Sequence, residues 1–183
     1  MDEMKNIFGW SPIDGFRLAR TVGKYLSNRS NYKTEEFIKA AEIALKKYPK
    51  EWVIYFSLGD KYQSIGRYAD SLALLIKCVE LRHDDVRSTY ALATTYNLLT
   101  RASWSQQEAD VANTMFGLTG NQRIDPKLVE IEMKKAGLTI QASVIQAIRW
   151  FKKTLDLNPD EKSKNQIQDD LRTLYARFPY IQL

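Results

Sequence analysis

The sequence predicts an all-α protein in which pairs of helices stack side by side along the chain, as in a solenoid. A repeated pattern is the first observation that predicts it. A Leu, a small residue and then a Tyr three positions later occur twice, at Leu58-Gly59 with Tyr62 and at Leu92-Ala93 with Tyr96. The second copy follows the first by 34 residues, and further small residues keep this interval: Ser71 and Cys78, then Ser105 and Ala112. A fixed period of this length is typical of a repeated helix pair.

The spacing of apolar residues is the second observation, and it predicts how one such pair is built. From Trp52 to Ile65, apolar residues recur every three or four positions, as on one face of a helix. Gly66 is expected to end this helix, because glycine readily adopts the left-handed conformation found there. Residues 68–81 are apolar around most of the circumference, which predicts a second, buried helix. Gly59 and Cys78 are small, and we expect them where the two helices cross closely.

The same reasoning along the whole chain predicts nine helices. They cover residues 12–27, 34–48, 50–65, 67–81, 85–100, 104–117, 126–136, 140–157 and 160–177. Asp125 before Pro126 is a typical N-cap, and Ser105 with Glu108 can form a capping box. Gly137 is expected to end the seventh helix. The last helix is polar apart from a thin apolar stripe, so we expect it to cap the end of the solenoid.

Residues 52–85 resemble a tetratricopeptide repeat (TPR). The resemblance depends on aromatic, Leu-Gly and small residues at the characteristic positions: Tyr55, Leu58, Gly59, Tyr62, Gly66, Tyr68, Ser71, Leu75, Cys78 and Leu81. Residues 86–119 match less closely, since Thr100 replaces the turn glycine. Residues 128–160 keep mainly the second half of the pattern, including Ala147, Phe151, Leu155 and Asn158-Pro159. Residues 18–51 match least, as is expected of a terminal repeat.

The resemblance implies a right-handed α-α superhelix of about four helix pairs with a C-terminal capping helix. We expect one TPR-like domain over residues 1–183. Its repeats are predicted at about 12–50, 52–85, 86–119 and 126–159, with the cap helix at 160–178.

The last of the four predicted repeats does not keep the 34-residue period. A strict period would start the last repeat at residue 120, whereas Asn158-Pro159 implies a start near 128. We place the extra residues in the loop 117–124, which is rich in Gly and Asn. The alternative treats 101–140 as a helical insertion inside one repeat; the register of Ser105 and Ala112 favours the first interpretation.

The C-terminal Phe-Pro-Tyr-Ile-Gln-Leu tail either folds back onto the cap helix or projects toward a partner.

Composition fits a soluble helical domain, because 44% of the residues are hydrophobic and 27% are charged. No apolar run approaches the roughly 18 residues of a membrane span. The first residues lack the basic start and apolar middle of a signal peptide. The single cysteine excludes an internal disulfide and fits a reducing compartment. We therefore expect a cytoplasmic protein.

Residues that could support catalysis are scarce. His83 is the only histidine and Cys78 the only cysteine. We expect His83 to be a solvated turn residue beside Asp84-Asp85, and Cys78 to be a packed small residue. The sequence Gly117–Gly120 lacks the lysine and the preceding strand of a phosphate-binding loop. We therefore predict a protein that is not an enzyme and has no metal, cofactor or catalytic residues.

The resemblance implies a concave groove lined by the first helices of successive repeats. The positions that usually face this groove are Val53, Phe56, Asp60, Gln63, Arg87, Tyr90, Thr94 and Asn97. Aromatic anchors with polar neighbours of both signs suit an extended peptide or a helix. We therefore predict a protein-interaction scaffold or adaptor that binds a protein or peptide partner here. The alternative is that these side chains contact the adjacent repeat.

Two other functions compete with this one. The TPR subclass that clamps the carboxylate end of chaperone tails needs basic or amide residues where this chain has Phe56 and Asp60, so we disfavour it. Nucleic-acid binding, most naturally of RNA, is the alternative function. A net charge of +5 permits it, and basic residues concentrate near the N-terminus at Arg17, Arg20, Lys24, Arg29 and Lys33. Interleaved acidic residues disfavour it. The sequence identifies neither the partner nor the oligomeric state.

Overall fold

The computed structural model describes residues 34–120 and 123–181, and within these ranges it contains only helices. The α-helices are α1 (Thr34–Lys47), α2 (Trp52–Ser64), α3 (Tyr68–Leu81), α4 (Val86–Leu99), α5 (Gln106–Met115), α6 (Pro126–Lys135), α7 (Ile140–Asp156) and α8 (Glu161–Arg177). A 3-10 helix, Thr100–Ser103, follows α4. The prediction of an all-α protein is confirmed. Every helix predicted from residue 34 onward is present; the one predicted at 12–27 lies outside the described residues.

Several helix ends have the predicted caps. The Asp125 carboxylate accepts a hydrogen bond from the backbone N–H of Lys127 at 2.9 Å, and α6 begins with Pro126. Ser105 and Glu108 form a complete capping box at the start of α5. Gly137 follows α6 with a φ of +67°, which only glycine adopts without strain. The start of α5 and both ends of α6 therefore follow from local side-chain and backbone chemistry.

The α2–α3 pair is closely packed. A Cβ atom placed on Gly59 would lie 2.9 Å from Cγ of Leu75, so the predicted close approach is confirmed. Cys78 is fully buried, and its thiol donates to Oγ of Ser88 on α4 at 3.3 Å. On its other side, α2 shares a small apolar cluster with α1 that includes Ile54. The first four described helices thus form successive packed neighbours.

The principal partner of α4 is α7, although residues 100–139 separate the two helices in the chain. These helices pack against each other as extensively as α2 packs against α3. The apolar core that they share includes Ala93 on α4, with Ala147 and Phe151 on α7, and all three are fully buried. This pairing corresponds to the second interpretation of the sequence, in which a helical insertion separates the two halves of one helix pair.

Residues 100–139, called the inserted segment below, comprise the 3-10 helix, α5 and α6. α6 is anchored at the start of α3, where Glu132 accepts from the backbone N–H of Ala69 at 3.0 Å and Lys135 pairs with Asp70 at 3.0 Å. α5 has no comparably extensive contact with another described helix. Ala112 packs with Ile124 inside the same segment, so its register with the earlier repeat does not reflect equivalent packing.

The C-terminal residues complete the core. α8 packs against α7 and buries Ile167 and Leu174. Beyond the helix, Phe178 and Ile181 are also buried in the main core, whereas Tyr180 is exposed. Of the two alternatives for the tail, the structure therefore agrees with folding back, as far as residue 181. None of the helices in the described ranges is both long and apolar enough to cross a bilayer.

Candidate partner-binding groove

The residues predicted to line a groove occupy two helical rows. Val53, Phe56, Asp60 and Gln63 follow one face of α2, and Arg87, Tyr90, Thr94 and Asn97 follow one face of α4. None of the eight is fully buried, and Arg87 is exposed. Partial exposure of whole rows on adjacent helices is what a binding surface requires. The rows also lie close enough for their side chains to meet.

Arg87 and Phe56 join the two rows at one end. The Arg87 guanidinium lies 6.0 Å from the ring centre of Phe56 and 5.9 Å from that of Trp52, within the range of a cation–π contact. Its ion pair with Asp85 is long, at 3.6 Å, and the Arg87 side chain is 70% exposed. The other carboxylate oxygen of Asp85 is already occupied, because it caps α4 through the N–H of Ser88. Arg87 therefore presents an accessible positive charge beside two aromatic rings.

Gln63 is engaged in packing α2 against α4. Its side-chain amide donates to Oγ1 of Thr95 at 2.6 Å and to the carbonyl of Ala91 at 3.2 Å. Gln63 therefore forms a contact between helices. This agrees with the alternative stated above, in which the predicted groove residues contact the adjacent repeat. Its donors hold the two rows in register.

Tyr90 has one apolar and one polar end. Its ring packs 6.0 Å from the ring of Phe151, centre to centre, at an angle of 51°. Burial raises the pKa of Tyr90, and the nearby negative charge of Asp170 on α8 adds to that increase. The Thr94 hydroxyl is close to Tyr90 but lacks hydrogen-bond geometry, so its oxygen is buried without a partner. The middle of the α4 row is thus a half-buried polar region next to α8.

Two charged residues near this region, Arg101 and Asp170, were not predicted as site residues from the sequence. Arg101 lies in the 3-10 helix that follows α4, four positions after Asn97. Burial lowers the pKa of Arg101, while the neighbouring Tyr68 and Asp170 oppose that shift. Burial likewise raises the pKa of Asp170, against the lowering effects of Gln166, Arg101 and Tyr90. The four-residue spacing from Asn97 was the available signal for Arg101, whereas Asp170 was hidden in a helix interpreted as a solvated cap.

An apolar cavity of about 370 Å³ lies against α5. It is lined by Trp104, Gln107, Glu108, Val111, Ala112, Met115, Phe116 and Arg177. Met115 and Phe116 are 75% and 71% exposed. At its edge, Glu108 pairs with Arg177 at 2.9 Å, and this hydrogen bond, with those from Ser105, lowers the pKa of Glu108 to about 2. This cavity was not predicted from the sequence, because the register of Ser105 and Ala112 indicates a regular repeat helix at α5.

Cys78 and His83 occupy the surroundings that the sequence predicts. Burial raises the pKa of the Cys78 thiol, and His83 is exposed in the turn before α4, as predicted for each position. Across residues 34–120 and 123–181, no group of His, Cys, Asp and Glu side chains is arranged to hold a metal ion. The basic N-terminal residues considered for RNA binding lie outside the described ranges.

Comparison of the sequence with models of known protein families finds no match, and comparison with curated proteins finds no significantly similar sequence. The resemblance to a TPR therefore depends on the residue pattern alone.

Proposed function

We propose that this chain is a TPR-like, non-catalytic scaffold or adaptor that binds a partner peptide or helix on the face formed by α2 and α4. In this proposal the stacked helix pairs form a right-handed superhelix, and the first helix of each pair lines its concave side. The chain would work in the cytoplasm, which suits a protein with a single free cysteine.

The observation that supports the proposal most is the equivalence of the two helix pairs. Gly59 on α2 packs directly onto Leu75 of α3. Ala93, which is 34 residues after Gly59, is fully buried in the core that α4 shares with α7. A small residue at the same place in successive first helices is the packing expected of a stacked helical repeat.

The side chains on the proposed binding face are suited to a peptide. Phe56 and Tyr90 are partly exposed aromatic residues backed by the main core, so they can bury a ligand side chain without moving. Arg87 supplies an accessible charge, and Asn97 supplies amide groups for a peptide backbone. Such a face combines apolar anchors with polar groups that set orientation.

The test is to isolate partners by affinity purification with mass spectrometry and then to measure each candidate's affinity for defined variants. We expect Asn97→Ala and Arg87→Glu to weaken a true partner, and Tyr90→Ala to weaken it most, because aromatic anchors commonly contribute about 2 kcal/mol or more. Arg149→Glu is the matched control, since Arg149 is exposed on α7, a second helix. Partners that bind all groove variants normally but lose affinity for Arg17→Glu with Arg20→Glu would contradict the proposal.

A further inference from the structure

We propose that the chain forms a weak homodimer in which α5 packs antiparallel against the same helix of a second copy. The surface that makes this contact is called the α5 stripe, and it consists of the apolar side chains Trp104, Val111, Met115 and Phe116, which line the apolar cavity. The inference goes beyond the proposed peptide binding and does not depend on it, because no residue of the α5 stripe belongs to the groove on α2 and α4.

The α5 stripe exposes apolar surface for which the chain itself provides no cover. Met115 and Phe116 are the two most exposed large apolar side chains in the described ranges, and Val111 is 53% exposed. Positions 104, 111 and 115 are separated by seven and four residues, so they share one face of a helix. A contiguous apolar face of this kind is typical of an interaction site.

The other faces of α5 are already engaged, and they hold the helix in place. Ala109 is fully buried in a cluster with Ile124. The Asn113 side chain is buried beside it and donates to the carbonyl of Ile124 at 2.9 Å, while the N–H of Ile124 donates back to Asn113 at 2.7 Å. On the polar face, Gln106 donates to the carboxylate of Asp110 at 3.0 Å. The α5 stripe is therefore a preformed face on a fixed helix.

A two-fold axis at Val111 makes the α5 stripe complementary to itself. In antiparallel pairing, each residue lies opposite the residue equally far on the other side of position 111 in the second copy. Val111 then meets its own copy, and Met115 meets Gln107. Phe116, which is 71% exposed at one end of the stripe, approaches the cavity beside Trp104 at the other end. Each copy thus supplies both a protruding ring and a concave site that can receive one.

The distribution of charge on α5 favours a second copy in this orientation. Glu108 and Asp110 lie in the N-terminal half of the helix, whereas residues 112–116 contain no charged side chain. Antiparallel pairing therefore places the charged half against the uncharged half, while parallel pairing would bring Glu108 against its own copy. Glu108 pairs with Arg177 at 2.9 Å and Asp110 with Arg123 at 3.5 Å. The face consequently has no excess charge that would attract a highly charged partner.

The size of the α5 stripe predicts a dimer of low affinity. α5 has 10 residues, and a helix of that length spans only about 15 Å. Its exposed apolar side chains provide a few hundred Å², whereas a stable complex commonly buries about 800 Å² on each partner. We therefore expect a reversible dimer with a dissociation constant on the order of 10–100 μM.

Sedimentation equilibrium of the full chain from about 1 to 500 μM measures this association. The unaltered chain and Leu128→Glu should dimerise alike, whereas Val111→Glu should weaken dimerisation at least about 10-fold, because it opposes two carboxylates at the axis. Leu128 is the matched control, since it is a 60% exposed apolar residue on α6, outside the α5 stripe. Dilute Val111→Glu should unfold at the same temperature as the unaltered chain, because Val111 is a surface residue of the monomer.

Disulfide formation with oxidised glutathione tests the orientation of the two helices. Val111→Cys should form a linked dimer, because its thiol meets its own copy at the axis, and Gln106→Cys on the polar face should not. Gln107→Cys mixed with Met115→Cys should give a mixed disulfide, while neither variant alone links to itself. The natural Cys78 does not interfere, since it is fully buried.

Several results would overturn the inference. A chain that stays monomeric at about 500 μM would mean that solvent or a different molecule faces the α5 stripe. Assembly beyond a dimer would reveal a contact that does not close on itself. A dimer lost in Leu128→Glu but kept in Val111→Glu would place the interface elsewhere, and a lower unfolding temperature of dilute Val111→Glu would mean that Val111 packs within its own chain. Self-linked Gln107→Cys and Met115→Cys, in place of the mixed disulfide, would contradict antiparallel pairing.

Discussion

The α2–α3 pair and the α4–α7 pair bury the same kind of contact, but only the first is continuous in sequence. A short turn containing Gly66 joins α2 to α3, whereas residues 100–139 lie between α4 and α7. In each pair a small residue on the first helix, Gly59 or Ala93, is buried next to large side chains. The comparison teaches that helix pairing here is decided by complementary surfaces rather than by distance along the chain. The cost of closing a loop rises only slowly with its length, so a long insertion is tolerated.

The segments that connect the two helices of each pair also differ in the side chains they supply. The turn of the α2–α3 pair supplies Arg67, which is paired with Asp70 at the surface. The inserted segment supplies Arg101, Trp104 and the apolar cavity on α5. The inserted segment thus adds a charged and several apolar side chains that the α2–α3 turn lacks.

The sharpest mutational contrast is between Phe151 on α7 and Phe116 at the end of α5. Phe151 is fully buried, so Phe151→Ala should lower the free energy of unfolding by about 3–5 kcal/mol. Phe116 is 71% exposed, and Phe116→Ala should change it by less than about 0.5 kcal/mol. Chemical denaturation of both variants measures the difference. Equal losses would mean that α5 belongs to the core, which would break the distinction between the two pairs and the inserted segment.

A smaller effect tests whether the two pairs are equivalent. Gly59→Leu and Ala93→Leu should each destabilise the protein by about 1–3 kcal/mol, because each adds a side chain where two helices already touch. For Gly59 a gain in helix propensity of about 1 kcal/mol offsets part of this loss, and Gly59→Ala, whose Cβ already lies 2.9 Å from Cγ of Leu75, measures that gain together with the first contact. The denaturation midpoint of each of the three variants measures its change in stability. A loss at Gly59 with none at Ala93 would show that the α4–α7 contact is looser and that the pairs are not equivalent.

Local structure and the α2–α3 pair were largely predictable from the sequence, whereas the partner of α4 was not. Caps such as Asp125 and the Ser105–Glu108 box mark helix ends through interactions a few residues apart, so the bounds of the described helices were anticipated. Pairing depends on surfaces distant in the chain. Ala112 has the register of a repeat residue, yet it packs with Ile124.

The groove residues show the same division between local and distant information. Their positions on α2 and α4 follow from helical spacing, and the structure places them there. The use of Gln63 as a link to Thr95, and the approach of Asp170 to Tyr90, depend on how three helices meet. Neither contact has a signal in a single sequence. Arg101 is intermediate, because its spacing is visible but its seclusion is not.

Hydrogen–deuterium exchange of the unaltered chain tests the central claim, that α4 pairs with α7 across an insertion, most directly. Backbone amides in α4 and α7 should be protected to the same degree and should lose protection together as denaturant is added, because they form one cooperative unit. Amides in α5 should exchange faster by on the order of 100-fold, since α5 has few contacts with the other described helices. If α5 is instead as protected as α4 while α7 opens separately, residues 86–119 form a continuous pair and the account is wrong.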